Sequence, residues 1–294
     1  MINKPDMSLL QKELPDIQIV EEIDSGAFKV VYKALIKGRQ EALKLVQIPV
    51  DPNDEGIKEE NQKRIFREIA ILGKCESPYI VKLGSIRPKE LSVDGQDYVV
   101  YSEELVEGES LRQLLKSGYK PTFNELRNMA NVFLSVVKEL ASRKVIHRDI
   151  KPDNIIRTDT KDRPFVLLDF GIAFQIGGSN LTRDTHHVPG TLYYIAPEML
   201  DTGFRQSLDY RADLYTVGLT LYEYASGVNP YAKRDEAQFS TLYRIKTQNP
   251  EPLLNLCPDL PVEFCILVDN LMKKLPALRP ANIDMLIKKL EGIR

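Results

Sequence analysis

The hydrophobic period of this 294-residue chain changes near Val106, and that change limits the folds open to it. Before that point the signals are those of strands. Ile17, Ile19 and the run Val30-Val31-Tyr32 are rich in β-branched and aromatic residues. Gly38 lies between two such runs, so residues 28–47 read as a hairpin, and Asp94-Gly95 marks the turn of another. On the strand after Gly38, a period of two puts Ala42, Lys44 and Val46 on one face, with the lysine between two apolar residues. One helix interrupts this half: Ile65, Phe66, Ile69 and Leu72 form a stripe bordered by Glu68, after a polar, acidic connection at 49–61.

Beyond Val106 the spacing is helical. Thr122 to Glu125 reads as a capping box, and behind it Leu126, Met129, Phe133, Val136, Val137 and Leu140 recur at helical intervals. Further helices are expected over 210–226, 262–274 and 281–293, the last two with Pro261 and Pro280 as starts. The architecture is therefore α+β. A polar extension (1–16) precedes a small antiparallel-sheet lobe with one main helix (17–106) and a larger, mainly helical lobe (107–294).

Composition removes several function classes. With 43% hydrophobic and 28% charged residues the chain is a folded globular protein, and a net charge of −2 does not suit a nucleic-acid binder. Three scattered cysteines, Cys75, Cys257 and Cys265, form neither a disulfide framework nor a zinc pattern, which fits a reducing compartment. No apolar run is long enough to span a bilayer, and Met1 to Leu14 lacks the apolar region of a signal peptide. A soluble, cytoplasmic location without membrane association follows as the expectation.

The chemistry concentrates in His147-Arg148-Asp149-Ile150-Lys151-Pro152-Asp153-Asn154, a loop behind the 122–144 helix. Asp149 can accept a proton from an incoming hydroxyl, Lys151 can neutralise a phosphoryl group in flight, and Asn154 can ligate a hard cation through oxygen. Phosphoryl transfer needs such positioning and charge stabilisation, and little covalent chemistry.

This segment resembles the catalytic loop of eukaryotic-type (Hanks-type) protein kinases, and the lysine two residues after the aspartate resembles the serine/threonine branch. Asp169-Phe170-Gly171 follows the apolar run 165–168, and Ala196-Pro197-Glu198 matches the motif that closes the activation segment. Ala42-Leu43-Lys44 resembles the strand lysine motif, and Glu68 the helix glutamate that pairs with it. The resemblance covers about 17–293 and implies a bilobal kinase fold that moves the γ-phosphoryl group of ATP to a serine or threonine hydroxyl of a protein. It implies Asp149 and Lys151 as catalytic, and Asn154 and Asp169 as ligands of Mg²⁺, with Mn²⁺ as a substitute. Gly26, Val31, Ala42, Lys44, Glu68, Glu104 and Val106 would contact ATP or hold the groups that do. His147, Glu198, Asp213 and Arg279 would be scaffolding, the glutamate pairing with Arg279 and Asp213 holding the catalytic loop. Gly190-Thr191 resembles the substrate-site threonine motif.

The chain departs from the family in two places. Of the three glycines in the phosphate loop only Gly26 remains; Asp24 and Lys29 replace the others, one a charge that repels phosphate and one that attracts it. Glu103 stands where an apolar or small residue is usual, and a buried carboxylate there needs a partner. For regulation, the resemblance implies Arg148 as the partner of an activation-segment phosphate, with Thr185, Thr182 and Ser179 as acceptors and autophosphorylation as the expected route. His186 and His187 read as solvated loop residues. Two alternatives are a pseudokinase scaffold, suggested by the altered loop, and a small-molecule kinase, opposed by the substrate-platform motifs.

Overall fold

The computed structural model describes residues 4–50, 55–169, 190–201, 204, 208–233 and 236–293. They form two compact units, one from residues 4–76 and 81–107, the other from 77–80 and the described residues beyond 107.

The first unit is built on an antiparallel sheet in the order β1-β2-β3-β5-β4: Ile17–Ser25 (β1), Lys29–Ile36 (β2), Arg39–Gln47 (β3), Lys89–Val93 (β4) and Gln96–Glu104 (β5). Two hairpins set its register. Lys37 and Gly38 have φ of +50° and +79°, and Asp94 and Gly95 +52° and +69°. Positive φ at both turn positions matches the twist of the flanking strands, and Gly and Asp accept it at low cost.

Each face of the sheet carries its own apolar cluster. One contains Tyr32, Leu43, Leu45, Tyr98 and Val100, and it takes in Leu10 and Leu14 from the N-terminal segment. That segment was expected to be a polar extension. Instead Met7–Glu13 (α1) is a helix whose N-cap, Asp6, accepts from the N–H groups of Ser8 and Leu9. A seven-residue helix offers too few apolar positions for its period to register in the sequence.

The opposite face packs Val46, Val99 and Tyr101 against Ile65 and Ile69. These two belong to Glu55–Leu72 (α2), which begins inside the stretch expected to be a connection. Its early turns carry no apolar stripe and use (i, i+4) pairs, Glu59–Lys63 at 3.3 Å and Glu60–Arg64 at 3.6 Å.

The second unit has a three-stranded sheet of Glu109–Ser110 (β6), Ile155–Arg157 (β7) and Phe165–Leu167 (β8) beside Leu111–Lys116 (α3) and Phe123–Ser142 (α4). Thr122 caps α4, accepting from the Glu125 N–H at 3.2 Å. The Glu125 side chain does not close the expected box: its carboxylate accepts from Arg157 Nε (2.9 Å), Tyr224 OH (2.6 Å) and Tyr119 OH (2.6 Å). Three tertiary donors outbid one local N–H.

Arg211–Ser226 (α5) is buried along Ala212–Tyr224, as a helix enclosed on all sides must be. Gln238–Thr247 (α6), Leu253–Leu256 (α7), Val262–Leu271 (α8) and Ile283–Glu291 (α9) complete the unit. Pro261 is the N-cap of α8, whereas α9 starts beyond Pro280, with Asn282 as its N-cap. At Gly218 the α5 backbone comes so close to α8 that an added Cβ would lie 2.7 Å from Leu271 Cβ. Gly218→Ala is therefore expected to destabilise the protein by about 1–3 kcal/mol despite alanine's helix propensity. A shift of the urea midpoint toward greater stability would contradict it.

Candidate active site

In the second unit the chain leaves α4 and turns through the polar loop, ending in a single helical turn at Pro152–Asn154 that leads into β7. Two anchors hold this loop. Ile150 is fully buried. Asp213, near the start of α5, accepts from the backbone N–H groups of His147 and Arg148, both at 2.8 Å. Burial pushes the Asp213 carboxyl up to about 6, against the pull of these donors, so it is mostly ionised at neutral pH. Arg148 has φ of +69°, a conformation that costs a non-glycine residue energy and is retained where the surroundings impose it.

The loop folds back on Asp149. Lys151 Nζ donates to both carboxylate oxygens, at 2.8 and 2.9 Å, and Asn154 Nδ2 donates to Oδ2 at 2.7 Å and to the backbone oxygen at 2.9 Å. With its nitrogen so used, the Asn154 side-chain oxygen is the atom suited to a cation. The Leu168 N–H donates to the Asn154 backbone oxygen at 2.7 Å, which brings the end of β8, and with it Asp169, next to the loop. Asp169 also has positive φ, +49°. His147 is buried; burial pushes its pKa down to about 3, while Asp169 pulls the other way, so the ring is neutral. Its Nδ1 accepts from the Asp149 N–H at 3.3 Å.

The Asp169 carboxylate and the Asn154 amide oxygen, on adjacent backbone segments, suit Mg²⁺, which commonly keeps water and substrate oxygens in its remaining positions. Among the described residues no group of three or more His, Cys, Asp or Glu side chains could hold a metal without such help.

Away from the loop, Arg279 is fully enclosed and pairs with Glu198 through two bonds, at 2.6 and 2.7 Å. Arg112, unremarked in the sequence, ties four elements together. It donates to Asp153 of the loop (3.2 Å), to Glu223 on α5 (2.7 Å) and to Tyr194 OH (2.6 Å). No spacing rule marks a single arginine on a six-residue helix, so only the fold reveals this junction.

Lys274 is a half-buried lysine. Its Nζ donates to Tyr231 OH at 2.7 Å and to the Ile245 backbone oxygen at 2.6 Å, and it lies 4.4 Å from the Tyr231 ring centre. Burial, with Arg279 adding repulsion, pushes it down to about 7 from 10.5. Between those values the unfolded chain binds more protons than the folded one, so stability should rise as pH increases from about 7 toward 10. Urea midpoints across that range, compared with Lys274→Met, check this; an equal slope in both proteins would refute it.

In the first unit Lys44 and Glu103 lie on the same face of adjacent strands, where Ala42 pairs with Glu103 and Lys44 with Tyr101. Lys44 is 3% and Glu103 1% exposed, and Nζ to Oε2 is 2.5 Å. Val31, which pairs with Lys44 across β2 and β3, and Ala42 are buried beside them. Glu68 is half-buried on α2, next to the core residue Ile69. At the phosphate-loop position the Gly26 N–H donates to the Lys29 backbone oxygen at 2.9 Å, and Asp24 and Lys29 pair at 3.5 Å. The Glu104 carboxylate accepts from the Lys82 N–H at 2.8 Å, and Val106 is half-buried. Phe170, Gly171, Ser179, Thr182, Thr185, His186 and His187 lie outside the described residues, and Gly190 and Thr191 are placed by backbone only.

The protein kinase domain family matches residues 17–290. A probable serine/threonine-protein kinase of Clostridium acetobutylicum is 28% identical over 280 residues, covering 94% of this chain and 40% of that protein. Calcium-dependent protein kinase 5 of Plasmodium falciparum is 30% identical over 74% of this chain and 36% of its own length. Serine/threonine-protein kinase A of Synechocystis is 27% identical over 94% and 53%. The chain thus spans roughly two fifths to half of the curated relatives it matches. Among solved structures, the kinase domain of Mycobacterium tuberculosis PknI superposes with a TM-score of 0.64 at 21% identity, over 94% of this chain and 96% of that one, a likeness of fold.

Proposed function

This chain belongs to the protein kinase domain family, and from that premise we propose that it transfers the γ-phosphoryl group of ATP to serine or threonine hydroxyls of proteins. The observation that carries the reading is the arrangement on Asp149, a half-buried carboxylate held by Lys151 and Asn154 next to the segment bearing Asp169.

Asp149 orients the incoming hydroxyl and takes its proton as the oxygen attacks. Lys151, already on that carboxylate, balances the negative charge that gathers between acceptor and phosphoryl group. The Asn154 side-chain oxygen and the Asp169 carboxylate would hold Mg²⁺, or Mn²⁺ in its place, which supplies positive charge against phosphate oxygens. Lys44 is assigned to the phosphates of ATP, Val31 and Ala42 to its base, Gly26 and the backbone of Glu104 and Val106 to its edges. Glu68 remains the helix anion assigned to Lys44. His147, Asp213, Glu198 and Arg279 keep the loop and the segment after it in shape.

The altered phosphate loop is the only support for a binding scaffold without activity. Asp24 and Lys29 pair with each other, so neither presents a full unbalanced charge there. Thr185, Thr182 and Ser179 are proposed acceptors of regulatory phosphate, through autophosphorylation, with Arg148 as the cationic partner. A cytoplasmic setting suits three cysteines that are all free thiols.

The test is mass spectrometry of the protein and a basic protein substrate after incubation with Mg-ATP, beside Asp149→Asn. Phosphate on serine or threonine in the wild-type reaction alone is the expected result. Nucleotide binding without transfer, with or without added substrate, would favour the scaffold.

A further inference from the structure

The Lys44–Glu103 pair gives the candidate nucleotide lysine an anionic partner from its own sheet. Both side chains are more than nine-tenths buried, they sit on adjacent strands, and the contact is as short as a charge-assisted hydrogen bond becomes. Val31, Ala42 and Tyr101 around them are also buried, so little water is at hand to replace either charge. An anion arriving at Lys44 therefore meets an ammonium already balanced by a carboxylate, and it meets that carboxylate's repulsion as well.

We propose that Glu103 is a built-in competitor of phosphate at Lys44, setting how strongly this protein binds the triphosphate relative to the base and sugar of its nucleotide. The inference rests on the assignment of Lys44 to ATP phosphates. The ammonium has three N–H groups, so Lys44 can keep Glu103 and still donate to phosphate oxygen. What changes is the net charge of the pair formed by Lys44 and residue 103, zero with glutamate and +1 with glutamine. In a partly buried environment one unit of charge a few ångströms from a phosphate shifts binding by about a factor of ten or more. Adenosine lacks phosphate and should be indifferent to it. A residue that merely shaped the pocket would move both ligands alike.

The experiment is calorimetric titration of the wild type and Glu103→Gln with Mg-ATP and with adenosine. ATP affinity is expected to rise about tenfold or more in the variant, with adenosine changing by less than about twofold. Equal changes for both ligands, or an ATP affinity that stays level or falls, would overturn the proposal. Removing one member of a buried pair can also prevent folding. Glu103→Asp then serves: it keeps the charge but withdraws it from Nζ, and the ATP-to-adenosine ratio should rise by a smaller factor; a ratio that is unchanged or lower counts against the proposal. If neither ligand binds the folded wild type, the kinase reading itself fails, which is a different result from an unaltered ratio.

Discussion

Asp149→Asn is expected to lower the rate of phosphoryl transfer by about two to four orders of magnitude, the range associated with loss of a positioned general base. The substitution keeps the shape of the side chain, so the loop should keep its fold. Its anchors lie elsewhere: buried Ile150, and Asp213 on the N–H groups of His147 and Arg148. What is lost is local. Asp149 accepts three side-chain bonds, two from Lys151 and one from Asn154, and an amide has one acceptor oxygen for these donors. Lys151 then has no carboxylate to sit on, so the variant loses both the proton acceptor and the placement of the nearby cation. The measurement is kcat with a protein substrate, beside the affinity for Mg-ATP and the urea midpoint. A variant within tenfold of wild type would remove Asp149 from the chemistry.

Arg279→Lys is expected to cost about 3 kcal/mol or more in stability, although the charge is conserved. Arg279 places all five of its N–H groups. Nε donates to the Lys273 backbone oxygen at 2.7 Å, one terminal nitrogen to Glu198 (2.6 Å) and Arg211 O (2.8 Å), the other to Glu198 (2.7 Å) and Lys274 O (3.0 Å). The side chain has no exposure, so water cannot substitute for a lost donor. Lysine has three donors on one atom, which leaves at least two of these acceptors unmet. Because the same group joins the segment at Glu198 to the start of α5 and the turn before α9, the loss should appear in the cooperative unfolding transition. Urea denaturation with an unchanged m-value would measure it. A cost below about 1 kcal/mol would mean that the fork is not needed to hold these segments.

Much of the fold was legible because local rules produced it. Glycine or aspartate at positive φ set both hairpins, and the apolar stripes of α4 and of the end of α2 reported burial. The polar loop was legible for a related reason: its groups are neighbours in sequence, and Asp149, Lys151 and Asn154 bond to one another over at most five residues. Elements with weak local signal were not. The helix at Met7–Glu13 is too short to show a period, and α2 has no fully buried residue among 56–64. Glu125 had the spacing of a capping box, yet its side chain is drawn to Tyr119, Arg157 and Tyr224.

By itself the sequence determined the two-part architecture, the strand and helix periods, and the identity of the groups around Asp149, since each depends on residues a few positions apart. The tertiary structure alone decided which charges are buried against which. It put Glu103 on Lys44, Arg112 on Asp153, Tyr194 and Glu223, and Arg279 on Glu198, pairs separated by 41 to 111 residues along the chain. Such partners are chosen when folding removes water from both charges at once, and a burial cost of that kind has no period or motif in the chain.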